Sequence, residues 1–478
     1  MDYDIIIIGG GLGGLTAGAK LSKEGKKVLL VEQHNIPGGC ATTFKRKDYW
    51  FEVGLHEMDG LHNRDLKTKI FRDLGVFDNV EFIKVPEFYR FVYKDYDIVI
   101  PHDPEKAKEV LLKNFPDEEN GIEAYFYQVL NAREIIKNSE NEDEKNLGEF
   151  LDSIIKNKDL KLALLGNLGY FHDDPYSLSL SYYSVAQGSY YAGGGNFIKG
   201  GSQKLSDYLS SYISKNGGEV ILNHLVKSII IEDNKASGIT YQKKNSKEVL
   251  KAYGNHIISN AAIPYVANNL LPEKQGSILQ EDIQKRKIGA SLLTIYFGFK
   301  RPVKELGNKH YSTFIFDNSI ENIGDIIQNN QGDFKHRSFT FIDYSQIDSD
   351  LAPDGKSVGV ICCIDYTKDW ENLERNEYNK QKEKIAHFFI DKLEILISGI
   401  KEIIDYYEVA TSKTIERYTL NPQGAVYGFA QTPESVKLDP VKSIENLYFA
   451  SAWTKIGGGF SGAIFNGYLC AYEIIRKN

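Results

Sequence analysis

Apolar and polar positions fall into blocks along this 478-residue chain. Tyr3–Ile8 is a short, β-branched run, the mark of a strand buried on both faces. Leu15–Leu21 carries Ala, Leu and Thr at helical spacing, Gly25 stops the helix, and Val28–Val31 is a second buried strand closed by Glu32. The opening therefore predicts a β-turn-α-β unit. Residues 64–192 read as mainly helical and irregular, with a solvated, charged break at Asn138–Asn146 and an apolar-rich helical stretch at Leu147–Phe171. An amphipathic helix spans Leu205–Lys215 and stops at Gly217-Gly218. Strands follow at Glu219–Leu222, Leu225–Glu232, Ala236–Tyr241 and His256–Ser259, the second and third joined by the tight-turn pair Asp233-Asn234. Beyond Pro272, strands at Ser291–Phe299, Ser338–Ile342 and Ser357–Asp365 precede a long helix, about Glu371–Ile397. Its Ile385, Phe388, Phe389 and Leu393 recur at helical offsets and form a core face. Strand Asn446–Ala450 and the apolar helix Ala463–Ile475 close the chain.

Composition narrows the class. Apolar residues make up 42% and there are 42 Gly, which excludes a disordered chain and a collagen-like one. A single core rarely grows past about 250–300 residues, so at least two packed regions are expected. Lys and Arg number 57 against 65 Asp and Glu, a formal charge of −8 without cationic runs, which argues against nucleic acid as partner. Cys40, Cys362, Cys363 and Cys470 lack CxxC spacing and read as reduced core thiols, with no metal site expected. No run approaches the roughly 18 apolar residues that span a bilayer. The start, MDYDIIII, is strand-like and unlike a signal peptide, so a soluble, cytoplasmic protein is expected.

The chemistry begins in the first turn. Gly9, Gly11 and Gly14 stand in GxGxxG register between strand and helix, and Glu32 follows Gly14 by 18 positions. In dinucleotide binding, the first glycine permits the tight turn, the second lets backbone approach a pyrophosphate, and the third lets helix and strand pack closely. The helix N-terminus then offers free N–H groups to the phosphates. Glu32 is placed to accept hydrogen bonds from a ribose diol, and its charge disfavours a 2′-phosphate. This fingerprint alone does not separate FAD from NAD. Pro37-Gly38-Gly39-Cys40-Ala41-Thr42-Thr43 adds a second glycine turn, whose extra contact surface suits the longer FAD.

Two later glycine-dense segments stand out, Gly193–Lys204 and Gly457–Gly462, the latter opening the final helix. Such a helix start can stabilise a negative charge. No second GxGxxG with a following strand and acid occurs, so a second dinucleotide module is not supported. Tyr176, Tyr182, Tyr183, Tyr190, Tyr191 and Phe197 crowd one stretch, either as core or as a slot for a flat apolar ligand.

Four stretches resemble the FAD-dependent phytoene desaturase, carotenoid isomerase and retinol saturase family, within the amine-oxidase-like flavoproteins. They are residues 5–44, FEVGLH at 51–56, residues 200–241, and NLYFASAWTKIGGGFSGAIFNGY at 446–468. The resemblance implies an α/β fold: a discontinuous Rossmann-like FAD-binding domain (1–63, 193–270 and 420–478) with an inserted α+β substrate domain on an antiparallel sheet (64–192 and 271–419). It also implies cofactor roles. Gly9, Gly11 and Gly14 would hold the pyrophosphate and Glu32 the adenosine ribose, with Leu12, Gly13 and Gln33 also among the cofactor-binding residues. Gly38, Gly39 and Thr43 would lie along the rest of FAD, Val226 at the adenine region, and Gly458, Gly459 and Phe460 around the flavin, with Cys40 and Trp453 also among the cofactor-binding residues. Cys40 stands where many relatives have Arg, and Trp453 where the wider superfamily often has an acid. The first departure resembles retinol saturase, whereas the AWT…GGGFSGAI tail resembles bacterial carotenoid desaturases, leaving the direction of reaction open.

The implied activity is hydride transfer between flavin and carbon–carbon bonds of a hydrophobic polyene or isoprenoid lipid, by desaturation, saturation or cis-trans isomerisation. Saturation needs a proton donor as well. His56 and Glu57, next to the FEVG segment, are the catalytic candidates, with His172, Tyr190 and Tyr191 behind them. The alternatives are an amine or other C–N oxidase on the same scaffold and a non-enzymatic lipid-binding relative. The electron partner is open, and an apolar substrate implies transient contact with a membrane surface.

Overall fold

The computed structural model describes residues 2–138, 144–437 and 444–477, so most of the charged stretch expected at 138–146 lies outside the described residues. Two large sheets organise the chain. The first runs in the order Glu219–Ile221, Val28–Val31, Tyr3–Ile8, Val249–Ser259, Lys235–Lys243, His224–Glu232, and Leu447–Phe449 also pairs with Val249–Ser259. Its first four strands and Leu447–Phe449 are parallel, with Ile5 opposite Val28 on one side and His256 on the other. Ile5, Ile6 and Ile7 are wholly buried, as strands covered on both faces require. The strand expected at His256–Ser259 is longer, because its first half pairs antiparallel with Lys235–Lys243. The Asp233-Asn234 turn places both residues at positive φ (47° and 66°), the geometry of a two-residue hairpin.

Helix Leu12–Lys23 is buried along nearly its whole length against this sheet, beneath helices Gln203–Lys215 and Gly459–Lys477. It meets the last helix where a methyl group on Gly467 would strike the Gly13 carbonyl.

The second sheet runs Ile404–Ala410, Ser291–Phe299, Ser357–Asp365, Phe339–Asp343, Ser312–Ile315, Tyr89–Tyr93, Tyr96–Ile100. It is antiparallel apart from one parallel pair, Ser312–Ile315 with Tyr89–Tyr93. Helix Arg375–Leu396 covers it with Ile385, Phe389 and Leu393. The hairpin Tyr89–Ile100 corrects the helical reading of 64–192: Tyr89, Phe91 and Tyr93 point inward while Arg90 and Val92 are less buried, a period of two. The expected helix Leu147–Phe171 is instead two short helices, Leu147–Ile154 and Lys158–Leu164, and a single turn at Leu168–Tyr170. The result is an α/β fold: a discontinuous Rossmann-like unit beside a region built on a mostly antiparallel sheet. A small sheet of Met58–Asp59, Gly195–Ile198 and Phe82–Lys84 lies between segments of the two. All four cysteines are free thiols. Among the described residues no helix is long and apolar enough to cross a membrane.

Candidate active site: a glycine-lined cleft that opens on a cavity

The first turn leaves strand Tyr3–Ile8 with Gly9 at φ 93°, a conformation glycine adopts freely. Gly10 N–H then donates to Glu32 Oε2 (2.6 Å), and His34 N–H donates to Glu32 Oε1 (2.8 Å), which fixes the carboxylate at the cleft edge. Helix Leu12–Lys23 begins after Gly11, which has no side chain to cap it, so the leading N–H groups before Gly14 are available to an anion. Asn260 supports the turn, accepting from Gly14 N–H at 3.1 Å. The second glycine turn lies directly on the first: Gly38 N–H donates to Gly10 O (2.7 Å), and a methyl group on Gly39 would sit 3.3 Å from Gly11 Cα.

These turns line a cleft of about 250 Å³ with Leu12, Glu32, Gln33, Cys40, Val226, Trp453, Gly459 and Phe460. The structure thus brings together residues from both ends and the middle of the chain. Gly13 and Gly14 pack behind the cleft, where a methyl group would strike the Ala450 and Gly9 carbonyls respectively. Thr43 does not line it; its methyl packs on Gly201 in the hairpin Thr43–Arg46/Tyr49–Glu52. Gly458 faces the neighbouring cavity. Burial pushes the Cys40 thiol up to about 11, so it is a neutral neighbour. Asn260, Thr294, Tyr296 and Tyr418 also line the cleft and were not singled out in the sequence. Asn260 alone carried a signal, standing directly after a buried strand.

At Val53, Gly54, Leu292, Tyr427, Gly459 and Phe460 the cleft meets a cavity of about 430 Å³, since these residues line both. Buried Glu52 pins the 52–55 turn there, accepting from Ser202 N–H and Oγ–H (both 2.7 Å) and from Leu55 N–H (3.0 Å). Burial nevertheless pushes Glu52 up to about 7.

The cavity gathers His56, Glu57, Asp59, Tyr170, His172 and Tyr190. Tyr191 is buried among the helices instead. The aromatic-rich stretch therefore divides, with Tyr182 and Tyr190 on the cavity wall and Tyr183, Tyr191 and Phe197 in the core. His56 Nε2 lies 3.4 Å from Cys362 Sγ. Burial pulls His56 down to about 4 and pushes Cys362 up to about 12, so both are neutral near pH 7. Neither oxygen of the Glu57 carboxyl has a hydrogen-bond partner among the described residues, and the side chain is buried. Burial, then the charges of Glu87 and Asp59, push Glu57 well above the usual carboxylate range, which favours its protonated form. Asp59 is the contrast. Burial opposes its ionisation, but Lys67 at 3.3 Å and the hydroxyls of Ser189 and Ser461 prevail and hold it below its ordinary value. Among the described residues no group of His, Cys, Asp and Glu could hold a metal ion.

Residues 12–475 match the family described as flavin containing amine oxidoreductase. The chain belongs to the flavin containing amine oxidoreductase family. As a member it is an FAD-dependent oxidoreductase, and the cleft suits that cofactor: uncapped helix N–H groups, close-packed glycines and a fixed carboxylate lie along one wall. The chain is 25% identical to all-trans-retinol 13,14-reductase of Danio rerio, over 100% of this chain and 86% of that protein. It is 27% identical to chloroplastic prolycopene isomerase of Daucus carota, over 99% of this chain and 80% of that one. Among solved structures, cyclohexylamine oxidase from Brevibacterium oxydans superposes on this family member with a TM-score of 0.64 at 16% identity, covering 100% of this chain and 99% of that one.

Proposed function

We propose that this protein reduces a carbon–carbon double bond of a conjugated, isoprenoid-type polyene. The observation that carries the reading is Glu57, a residue of the cavity lining whose buried, unpartnered carboxyl lies just behind the wall and is pushed toward its protonated form. Bound in the cleft, FAD supplies reversible hydride transfer, and the protein contributes alignment and a dry site. Reduction adds a hydride to one carbon and a proton to its neighbour. Glu57 supplies the proton, and its carboxylate is returned to the acid by solvent after turnover. The two electrons would come, through the cofactor, from a reductant of the hydride- or electron-donating class. The walls formed by Tyr170, Phe171, Phe314, Phe316 and Tyr190 exclude water and suit a flat chain. The likeness to a retinol reductase and a prolycopene isomerase supports a polyene as substrate.

In this reading Gly9, Gly11, Leu12 and the first-turn N–H groups hold the pyrophosphate, and Glu32 and Gln33 the ribose. Gly38, Gly39, Cys40, Val226 and Trp453 flank the remainder of the cofactor, with Gly459 and Phe460 at the flavin and Gly458 on its cavity side. Gly13, Gly14 and Thr43 shape the scaffold. The exposed Ile136 and Ile456 on the cavity lining support brief contact with a membrane surface during loading.

Anaerobic incubation of the dithionite-reduced holoenzyme with retinoid and carotenoid panels tests the reading. Loss of the long-wavelength polyene band with oxidation of the flavin is expected. Unchanged polyenes alongside flavin-coupled turnover of amines would sink it.

A further inference from the structure

Asp59 stands on the short strand Met58–Asp59 and lines the cavity, with its side chain 18% exposed. Its carboxylate is fixed by a closed set of contacts. Lys67 Nζ, wholly buried, lies 3.3 Å from Asp59 Oδ2 and donates to Ser461 Oγ at 2.7 Å. Ser461 Oγ–H in turn donates to Asp59 Oδ1. Lys67 belongs to helix Leu66–Asp73 and Ser461 to the first turn of Gly459–Lys477, so three elements meet at this carboxylate. Asp65, 3.7 Å from Lys67, is buried and spends its oxygens on the N–H groups of Leu61 (3.0 Å) and Lys67 (3.3 Å). A buried ammonium is costly unless partners surround it. Here they are two carboxylates, a hydroxyl and the Phe465 ring at 5.7 Å. Two carboxylates against one ammonium leave a net negative charge, and Asp59 is the member of the three that shows it to the cavity.

We propose that Asp59 determines which polyenes the cavity takes: a fixed carboxylate on its wall that admits chains with neutral ends and turns away those ending in an anion. The inference rests on the polyene reading above and narrows it. Much of the surrounding wall is apolar, with Phe171, Phe314, Phe316 and Ile326, and like charges repel more strongly there than in water. Asp59 cannot turn aside to relieve that repulsion without unpairing Lys67, which has no access to solvent. The opposing cations on the lining, Arg133 and Lys455, are exposed side chains, whose field solvent and salt screen.

The test uses the oxidised holoenzyme under anaerobic conditions and reads binding from the quenching of tryptophan fluorescence. The probes are all-trans-retinoate and its methyl ester, which share one chain and differ in the charge of its end. The wild type should bind the ester about tenfold more tightly, since a like charge in a binding site works against the wrong partner. Asp59→Asn keeps the side-chain shape and leaves Lys67 paired with Asp65; it should bind retinoate about tenfold more tightly than the wild type does, with the ester unchanged. Asp59→Ser should lose the discrimination as well. Equal binding of both probes by the wild type, or a preference for retinoate because Arg133 and Lys455 prevail, overturns the filter and leaves the polyene reading standing. A discrimination that survives Asp59→Asn also overturns it, as does an equal gain for both probes. Should the wild type bind neither probe, the polyene reading fails and the filter with it. If Asp59→Asn does not retain FAD, the wild-type comparison and Asp59→Ser decide.

Discussion

In the cleft, glycines at 9, 11, 38 and 39 bring main chain against main chain, whereas the cavity walls are side chains from segments as distant as His56, Tyr170, Cys362 and Ser461. The two spaces meet at Val53, Gly54 and Phe460, yet they answer to different physics. Backbone packing tolerates no added atoms, so the cleft is defined by what is missing from its residues. The cavity is defined by desolvation, which sets the protonation of Glu57, His56 and Cys362 together. A change in the first region should therefore cost cofactor and stability, and one in the second should cost turnover alone.

The largest separation is expected from Gly13→Ala. The new methyl group would strike the Ala450 carbonyl and Asn260 Oδ1, and backbone cannot step aside as a flexible side chain can. Overpacking of this kind costs about 1–3 kcal/mol. The variant should purify with little flavin absorbance and melt several degrees lower; full flavin loading would show that the helix and the Ala450 segment have room to part.

Glu57→Gln should do the reverse. Flavin content should be unchanged, while the rate of polyene reduction falls by about 10²–10⁴-fold for loss of a general acid. Stability supplies an independent check. Because folding raises the Glu57 pKa, its contribution is full below the ordinary carboxylate value and is lost as pH rises toward the folded value. Wild type and variant should melt together near pH 4, and the variant should gain on the wild type as pH rises above the ordinary carboxylate range. Parallel melting curves at every pH would mean that Glu57 is solvated.

How far these two regions could be read beforehand follows from the same contrast. The glycine turns, Glu32 and the flanking strands are contiguous, so spacing alone reveals the cleft's first wall. Gly459 and Phe460 are remote, but their glycine-rich helix start marks them. Glu57 and His56 were legible only through their neighbour, the FEVG segment. Tyr296 and Tyr427 carry no local signal, because their place depends on which strands pair and where loops return. The Tyr89–Ile100 hairpin is hidden in the sequence for a related reason: its turn at Lys94-Asp95 lacks the glycine or asparagine that usually marks one, and Lys94 takes φ 51° regardless.

Gly195→Ala presses on Glu57 from behind the cavity wall, with a smaller effect. A methyl group there would collide with the Glu57 carboxyl and press on Val85. The carboxyl can rotate away, so flavin loading should persist while the reduction rate drops roughly tenfold, in line with about 1.4 kcal/mol of misplaced proton donor. A Gly195→Ala enzyme as fast as the wild type would mean that Glu57 acts from some other rotamer or not at all.

The smallest effect is expected at His56. Its imidazole is buried beside the Cys362 thiol, with Tyr170 5.7 Å away ring to ring, and burial pulls it down to about 4. It is therefore neutral across the range where the enzyme would be assayed, and cannot supply a proton as an imidazolium. His56→Gln should alter the rate less than tenfold and leave the shape of the rate–pH profile between pH 5 and 8 unchanged. An ionisation near 6.5 that vanishes in this variant would place water around His56. The cavity would then be wet, and the desolvation that keeps the proton on Glu57 would lose its physical basis.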